Sequence, residues 1–347
     1  MYSAPDGERY FVVDTHVHFW DASPENWANK YGEGFINCFY DYHRNLSPEE
    51  WVWPIEKFRL YSEEDMIRDL FDEGYVDVAI FLPTYLTDFY RNGFNTTERD
   101  AVMKEKHPDR FILNTSWDPR QGEAGLEDFE EKVRKWDIKG VKLYTAEWRG
   151  DSRGWKLTDP WAERYLDKCR ELGVNKIHVH KGPTIWPLTR DAFDVSDVDD
   201  AATSFPELTF IVEHCGVPRL EDFCWIGVQE PNVWGGLAVV APFIHTRPRW
   251  FAKAMGELLY WLGEDRITWA SDYAIWHPKW LVEQFVDLQM PDDMTEEYGE
   301  LTPSIKRKVL GLNAAWLYDI EVPEELREPE PGERGPEVTE KPAVTTP

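Results

Sequence analysis

Near its amino terminus the chain reads Val12-Val13-Asp14-Thr15-His16-Val17-His18, an apolar stretch that ends in two histidines one residue apart. Its β-branched residues are typical of a buried strand. Because successive side chains on a strand alternate between its two faces, His16 and His18 point the same way and can bind one ion. A catalytic metal usually takes about three protein ligands and keeps one position for water or substrate. The rest of the chain is therefore expected to supply further ligands.

Strand-like and helix-like stretches alternate after this first strand. Eight strands are predicted, near residues 12–18, 76–82, 111–116, 140–144, 174–180, 208–215, 233–240 and 267–272, and a last helix near 302–317. Eight parallel strands with helices between them indicate an α/β fold, a closed (β/α)8 TIM barrel. In such a barrel the functional residues lie at the carboxyl ends of the strands.

One barrel domain is predicted over residues 1–320, with a long aromatic-rich insertion at 19–61. This insertion is expected either to be a loop packed on its own aromatic residues or on another subunit, or to form a lid over an apolar substrate; the two roles are compatible. Residues 321–347 consist mainly of Glu, Pro and Thr, which predicts a disordered acidic tail, or a clasp on a partner subunit at its start.

Composition excludes several classes of partner. The 347 residues include 38 basic and 65 acidic side chains, for a formal charge of −27, so nucleic acid and anionic membranes are disfavoured. The four cysteines are far apart and contain no CxxC pair, which argues against a disulfide framework or a zinc knuckle. With no signal-peptide pattern at the start and no long apolar stretch, a cytoplasmic protein is expected.

Other strands end in further histidines and one carboxylate. His178 and His180 fall at the end of the fifth strand, His214 at the end of the sixth and Asp272 at the end of the eighth. A single strand histidine is usually a core residue with satisfied hydrogen bonds. Recurrence at the ends of four strands, the first included, instead predicts one metal site at the mouth of the barrel.

Four motifs together resemble the metal-dependent amidohydrolase superfamily, in the branch that includes aminocarboxymuconate-semialdehyde decarboxylase. They are Asp14-Thr15-His16-Val17-His18, His180-Lys181-Gly182, Glu213-His214-Cys215-Gly216 and Ser271-Asp272-Tyr273, and the resemblance runs from about Phe11 to Leu317. The resemblance implies one divalent metal ion, Zn²⁺ first and Mn²⁺ or Fe²⁺ as alternatives. Its ligands would be His16, His18, His180 and Asp272, with His214 left unligated as an acid, a base or an oxyanion stabiliser.

The ligand from the fifth strand is ambiguous, because His178 and His180 share a face. His180 is preferred, since it is nearer the strand end and is followed by Gly182, and His178 is expected to support the ligands from behind. Glu213 is expected to be structural, with its side chain facing away from His214.

Three other residues are candidates for supporting the metal ligands or binding substrate. Lys142, on the fourth strand, is expected to contact a substrate carboxylate or a neighbouring acid; a carbamylated lysine that holds a second metal is the alternative. Arg247, together with Arg249, follows the seventh strand and is a candidate clamp for a carboxylate, if it does not simply face solvent. Trp20 begins the aromatic insertion.

The resemblance and the aromatic insertion favour a metal-dependent decarboxylase, or a related lyase, that acts on an aromatic or unsaturated carboxylic acid. Hydrolysis of an amide, lactone or ester is the alternative, because Asp272 as proton carrier and His214 as acid, base or oxyanion stabiliser serve both reactions. An inactive relative that only binds partners is the third hypothesis. The expected partners are a small aromatic or carboxylate-bearing molecule and further copies of the chain, in a homodimer or a higher homo-oligomer.

Overall fold

Eight parallel strands form the centre of the molecule. A computed structural model describes residues 1–327, and in it each strand is paired with the next one along the chain. The strands are β1 (Val13–Val17), β2 (Val78–Phe81), β3 (Phe111–Thr115), β4 (Ile138–Leu143), β5 (Lys176–His180), β6 (Thr209–Glu213), β7 (Val233–Gly236) and β8 (Ile267–Thr268). Two short antiparallel strands, Tyr2–Ser3 and Arg9–Tyr10, precede them.

Hydrogen bonds between β1 and the residues around β8 bring the two edges of the sheet together. The Thr15 N–H donates to the Trp269 carbonyl at 3.1 Å, and the His18 N–H donates to the Tyr273 carbonyl at 2.7 Å. The Ser271 N–H also donates to the buried carboxylate of Asp14, at 3.0 Å. The predicted (β/α)8 TIM barrel is thus confirmed, and its first and last strands are neighbours.

Helices connect and surround the strands. The α-helices span Lys30–Leu46, Ile55–Arg59, Glu63–Ile67, Thr97–Lys106, Gly122–Lys135, Pro160–Leu172, Asp197–Ser204, Leu220–Gln229, Phe243–Thr246, Pro248–Leu262, Pro278–Asp287, Asp292–Tyr298, Pro303–Arg307 and Asn313–Tyr318. Turns of π-helix at Arg68–Asp72 and Lys308–Leu312 continue two of them. None of the helices in residues 1–327 combines the length and the hydropathy that crossing a membrane requires.

The insertion at 19–61 is built around the helix Lys30–Leu46, which we call the lid helix and which the sequence pattern did not predict as a helix. Its start is capped by the Asn29 side chain, which accepts a hydrogen bond from the Tyr31 N–H. Phe35, Phe39 and His43 recur every four residues and are buried along one face. This spacing is the sequence signal for the helix, and the helix-disfavouring glycines at its start obscure it.

His43 fixes the lid helix to the barrel. Its Nδ1–H donates to the Ile275 carbonyl at 2.6 Å, and its Nε2 accepts from the Trp53 N–H at 2.8 Å. Both ring nitrogens are therefore used by a neutral imidazole. Burial lowers the pKa of His43 to about 4.

The predicted domain boundary after Ile320 is followed by a short 3-10 helix, Glu324–Leu326. Leu326 is buried in an apolar cluster with Phe11 and Leu317, and Val322 packs against that cluster. These two apolar residues supply surface that can be buried. The remainder of the predicted disordered tail, 328–347, lies outside the described residues.

A chain that ends after Ile320 should be less stable than the full-length protein, because it loses the buried side chain of Leu326. Removing a buried leucine typically costs about 2 kcal/mol or more. Thermal unfolding measures the difference, and a chain that ends after Arg327 is the matched control, expected to unfold with the full-length protein. Equal melting temperatures for both truncations would contradict this packing.

Acid should loosen the lid helix through His43. An unfolded histidine takes up a proton near pH 6.5, whereas the folded imidazole resists protonation until about pH 4. The contribution of His43 to stability is therefore complete above about pH 6.5 and falls as the pH drops toward 4, by up to about 3 kcal/mol. The melting temperatures of the wild type and of His43→Gln should differ clearly at neutral pH and converge near pH 4. A difference that does not change with pH would refute this role.

Candidate metal centre

Three predicted ligands lie together at the carboxyl ends of the strands. His16 and His18 project from the end of β1, and Asp272 follows β8 beside them. Nε2 of His16 is 3.1 Å from Nε2 of His18, and Oδ1 of Asp272 lies 3.7 Å and 3.4 Å from these two nitrogens. Metal–ligand bonds of about 2.0–2.2 Å in a tetrahedron place ligand atoms about 3.3–3.6 Å apart. The three donor atoms are therefore spaced as ligands of one ion.

Hydrogen bonds on the far sides of the two imidazoles orient them. The Nδ1–H of His16 donates to Oε2 of Glu213 at 2.7 Å, and the Nδ1–H of His18 donates to Oδ1 of Asn95 at 3.1 Å. In neutral rings this leaves both Nε2 atoms as acceptors that face each other, an arrangement that a cation between them stabilises. Burial is the main cause that lowers the pKa of His16, to about 3. The donor set therefore fits a divalent metal ion.

Glu213 supports the centre, contrary to the expectation that it faces away and is only structural. Its second oxygen, Oε1, accepts from the Nδ1–H of His178 at 2.5 Å, so one buried carboxylate joins two histidines. The expectation relied on strand alternation, which ends here because His214 has a φ of 68° and Cys215 a φ of 48°. This turn lets Glu213 and His214 both face the interior. Burial would raise the pKa of Glu213, but His16 and His178 outweigh it and hold that pKa well below its usual range.

His178 lies deeper in the barrel than His16, His18 and Asp272, and it is behind His16. Its Nε2 accepts from the hydroxyl of Tyr318 at 2.5 Å, and that hydroxyl accepts from the Asn114 amide at 3.0 Å. Both nitrogens of His178 are thus engaged, one with Glu213 and one with Tyr318. Hydrogen bonds through His178 and Glu213 thus link the final α-helix, which ends at Tyr318, to His16.

His180 and His214 form a pair next to this group. Nε2 of His214 is 2.8 Å from Nδ1 of His180, while the Nδ1–H of His214 donates to the Ala238 carbonyl at 2.9 Å. A neutral His214 therefore accepts at Nε2, and His180 donates from Nδ1. Nε2 of His180 then carries the lone pair of the neutral ring and lies 3.5 Å from the Pro183 carbonyl. Burial lowers the pKa of both rings, that of His214 to about 4. His180 lines the same cavity but is outside the group of three donor atoms.

Lys142 is fully buried and points into the ligand group. Its Nζ lies 3.3 Å from Nε2 of His16. Burial lowers the pKa of Lys142 to about 8, against the opposing effect of Glu213 and Asp272. The Lys142 ammonium is thus positioned to contact an anionic group bound beside His16, His18 and Asp272. Asp272 is held ionised, because the neighbouring histidines outweigh burial and lower its pKa far below the usual value.

A cavity lies between these residues and the lid helix. Its interior leaves about 20 Å³ open to the centre of a water molecule. Its apolar walls include Phe35 and Phe39 from the lid helix and Phe94, Tyr144, Ile275 and Trp276 from the barrel. Space for one or two waters is available, so a larger molecule must displace part of the wall to enter.

Two candidate residues do not reach this cavity. Trp20 is completely buried behind His18, where its indole N–H donates to the Phe58 carbonyl at 2.8 Å. Arg247 is exposed and lies over the ring of Trp250, 5.6 Å from its centre. Neither lines the cavity around His16. Their positions after β1 and β7 made Trp20 and Arg247 candidates. Position in the chain, however, does not determine where a side chain points.

A second group with metal-type donors occurs in the described chain, formed by Asp69, Glu73 and His277. Here the carboxylate of Asp69 is already paired with Arg68 at 2.7 Å and with Lys57 at 3.3 Å. Two cations next to the central carboxylate disfavour a third. The geometry therefore supports a metal at His16 and not at this group.

No sequence motif identifies some of the residues that support the site. Asn95, which orients His18, is 77 residues away from it in the chain. Tyr318 is 140 residues away from His178. The single local signal was the charged Glu213 in an otherwise apolar strand, since a buried carboxylate needs partners.

Comparisons with known proteins agree with this architecture. The family model for amidohydrolases matches residues 13–320. No curated relative matches the sequence. At the identities given below, likeness to solved structures shows the fold alone.

Three solved structures share the fold. The 2,6-dihydroxybenzoate decarboxylase from Rhizobium is 14% identical with a TM-score of 0.59, and the match covers 90% of this chain and 99% of that one. The 5-carboxyvanillate decarboxylase from Novosphingobium aromaticivorans, with bound manganese, is 15% identical with a TM-score of 0.55 and coverage of 89% and 97%. A probable 2-pyrone-4,6-dicarboxylic acid hydrolase from Acinetobacter baumannii is 13% identical with a TM-score of 0.54 and coverage of 89% and 99%.

The family match includes every predicted ligand, from His16 to Asp272, and it confirms the resemblance carried by the four motifs. Because the model matches most of the chain, the protein belongs to the amidohydrolase family.

Proposed function

We propose that the protein is a metal-dependent decarboxylase of an aromatic or unsaturated carboxylic acid. The observation that carries this proposal is the aromatic cavity directly over His16, His18 and Asp272. A carboxylate is costly to hold in apolar surroundings, whereas CO₂ is neutral. Such a cavity therefore favours loss of the carboxylate once binding has placed it there.

One divalent ion is proposed at this centre, with His16, His18, His180 and Asp272 as ligands. His180 is preferred over His178, because both nitrogens of His178 are engaged at 2.5 Å, whereas Nε2 of His180 has only the Pro183 carbonyl, at 3.5 Å. When bound, the metal supplies Lewis acidity and orients oxygen atoms of the substrate. Zn²⁺ suits a set rich in imidazoles, and the manganese in the Novosphingobium decarboxylase makes Mn²⁺ the first alternative.

The residues of the chain have separate roles in the proposed reaction. Lys142 contacts the carboxylate, and the aromatic walls hold the substrate and exclude water. The bond from carbon to the carboxyl group breaks, CO₂ leaves, and the electron pair stays on the substrate carbon. The new C–H bond then forms with a proton that comes from water and is relayed by His214 or Asp272.

Hydrolysis remains the second candidate, because the same fold occurs in a probable pyrone dicarboxylic acid hydrolase and the cavity has space for a water. The two reactions are separated by incubating metal-loaded protein with aromatic acids and with lactones. CO₂ release equal to the loss of an aromatic acid supports the proposal. Lactone opening without CO₂ release would replace it by hydrolysis.

Metal affinity should depend on Glu213 even though Glu213 is not a proposed ligand. Glu213→Gln keeps the shape but loses one of two acceptor oxygens, so affinity should fall about 10–100-fold. Competition with a chelator measures it, and Glu230→Gln, a buried glutamate that instead accepts from Thr203, is the control expected to bind as the wild type does. A double His16→Ala, His18→Ala variant that keeps its metal would refute the site.

Replacing His214 should slow proton transfer without affecting metal binding. His214→Asn should retain the metal but lose about 10²–10⁴-fold in rate, the usual contribution of a general acid or base. Asp272→Asn should both weaken metal binding and abolish activity, because an amide cannot accept a proton and pass it on. Rates of CO₂ release together with metal analysis test this, and full activity of His214→Asn would remove His214 from the mechanism.

A further inference from the structure

Two hydroxyl groups in the wall of the cavity have no hydrogen-bond partner. They are the phenolic hydroxyl of Tyr144 and Oγ1 of Thr84, and both atoms are buried. Among the buried side-chain atoms of residues 1–327 that lack a partner, these two are the hydroxyls. An unpaired buried hydroxyl is costly, because it has given up its hydrogen bonds to water. Both hydroxyls line one cavity, where a bound ligand can supply the missing hydrogen bonds.

The surroundings of these residues keep the hydroxyls where they are. The backbone of Thr84 exchanges two hydrogen bonds with Asn95, at 2.9 and 3.0 Å. The ring of Tyr144 packs between His180, at 4.6 Å between centres, and Phe193, at 5.4 Å. Thr84 follows β2 and Tyr144 follows β4, so the hydroxyls come from different strands of the mouth.

Trp276 also lines the cavity with an unpaired indole N–H, but this feature is not distinctive. Four other buried indoles in the described chain lack a partner as well. The two hydroxyls are different, because no other hydroxyl lacks a partner among the buried side-chain atoms of residues 1–327. A hydroxyl both donates and accepts, so it suits an oxygen substituent, whereas a methyl substituent would leave it unsatisfied.

We propose that Tyr144 and Thr84 bind oxygen substituents on the substrate and thereby decide which aromatic acids the cavity accepts. This inference rests on the proposed function for the class of the ligand. It adds that the hydroxyls of Tyr144 and Thr84 recognise, by hydrogen bonds, a ring substituent other than the reacting carboxylate. Sites of this kind reject analogues that lack the polar group, because the buried partners are then left unpaired.

Binding of matched ligands to metal-loaded protein tests the inference without turnover. The ligands are the three hydroxybenzoates and the three methylbenzoates, which place OH or CH₃ at the same ring position, and calorimetry gives their affinities. For at least one position the wild type should prefer the hydroxyl. Tyr144→Phe or Thr84→Val should reduce this preference about three- to tenfold, the usual range for one neutral hydrogen bond. The methylbenzoates should bind these variants as well as the wild type or better.

Thermal unfolding of the ligand-free variants supplies an independent readout. Tyr144→Phe and Thr84→Val should unfold at the wild-type temperature or above, because neither hydroxyl has a partner to lose. The controls remove hydroxyls that are bonded, namely Tyr165→Phe, whose hydroxyl donates to the Gly122 carbonyl at 2.8 Å, and Thr97→Val, whose hydroxyl pairs with that of Thr115 at 2.9 Å. Both controls should melt lower.

Three results would overturn the inference. An unchanged hydroxyl preference in both variants would remove Tyr144 and Thr84 as determinants while leaving the proposed decarboxylase in place. Melting temperatures lowered as in the controls would show that the hydroxyls have a structural role. Failure of every benzoate to bind the wild type would refute the aromatic acid class, and with it both proposals.

Discussion

The carboxylate of Glu213 accepts hydrogen bonds from His16 and His178, and the arrangement of the site depends on this buried ionic group. A carboxylate removed from water must be neutralised or fully hydrogen-bonded. Here two imidazole N–H groups and the nearby charge of Lys142 do so. In return the carboxylate fixes the tautomer of His16, which turns Nε2 toward His18 and Asp272. The metal-type geometry is thus set from inside the barrel.

The fold makes this arrangement possible by closing the sheet. Hydrogen bonds between β1 and the residues after β8 bring Asp272 beside His16 and His18. The last helix adds the Tyr318 hydroxyl under His178, so the lower part of the barrel supports the mouth. Across the mouth the lid helix supplies aromatic walls and is fixed to the barrel by His43. The result is a set of oriented polar groups under an apolar cover, as the proposed decarboxylation requires.

Strand alternation and the barrel rule were enough to predict the eight strands and the convergence of His16, His18 and Asp272. They failed at Glu213, because a left-handed residue at His214 ends the alternation and no local pattern announces it. They did not predict the lid helix, because the tertiary packing of Phe35 and Phe39 overrides the weak helix propensity of its glycines. Partners such as Asn95 come from distant parts of the chain. The hydrogen bonds on which the proposed choice of His180 over His178 rests cannot be derived from strand alternation, because both residues share a face.

The position of a bound metal tests the central claim, that Glu213 orients His16 for one ion held at Nε2 of the β1 histidines. Anomalous diffraction from crystals of the metal-loaded protein locates the ion directly. We expect one site, with the metal about 2.0–2.2 Å from Nε2 of His16 and of His18, and Glu213 still bonded to Nδ1 of His16. A metal bound to Glu213 itself, to Nδ1 of either histidine, or only at Asp69, Glu73 and His277 would contradict the account.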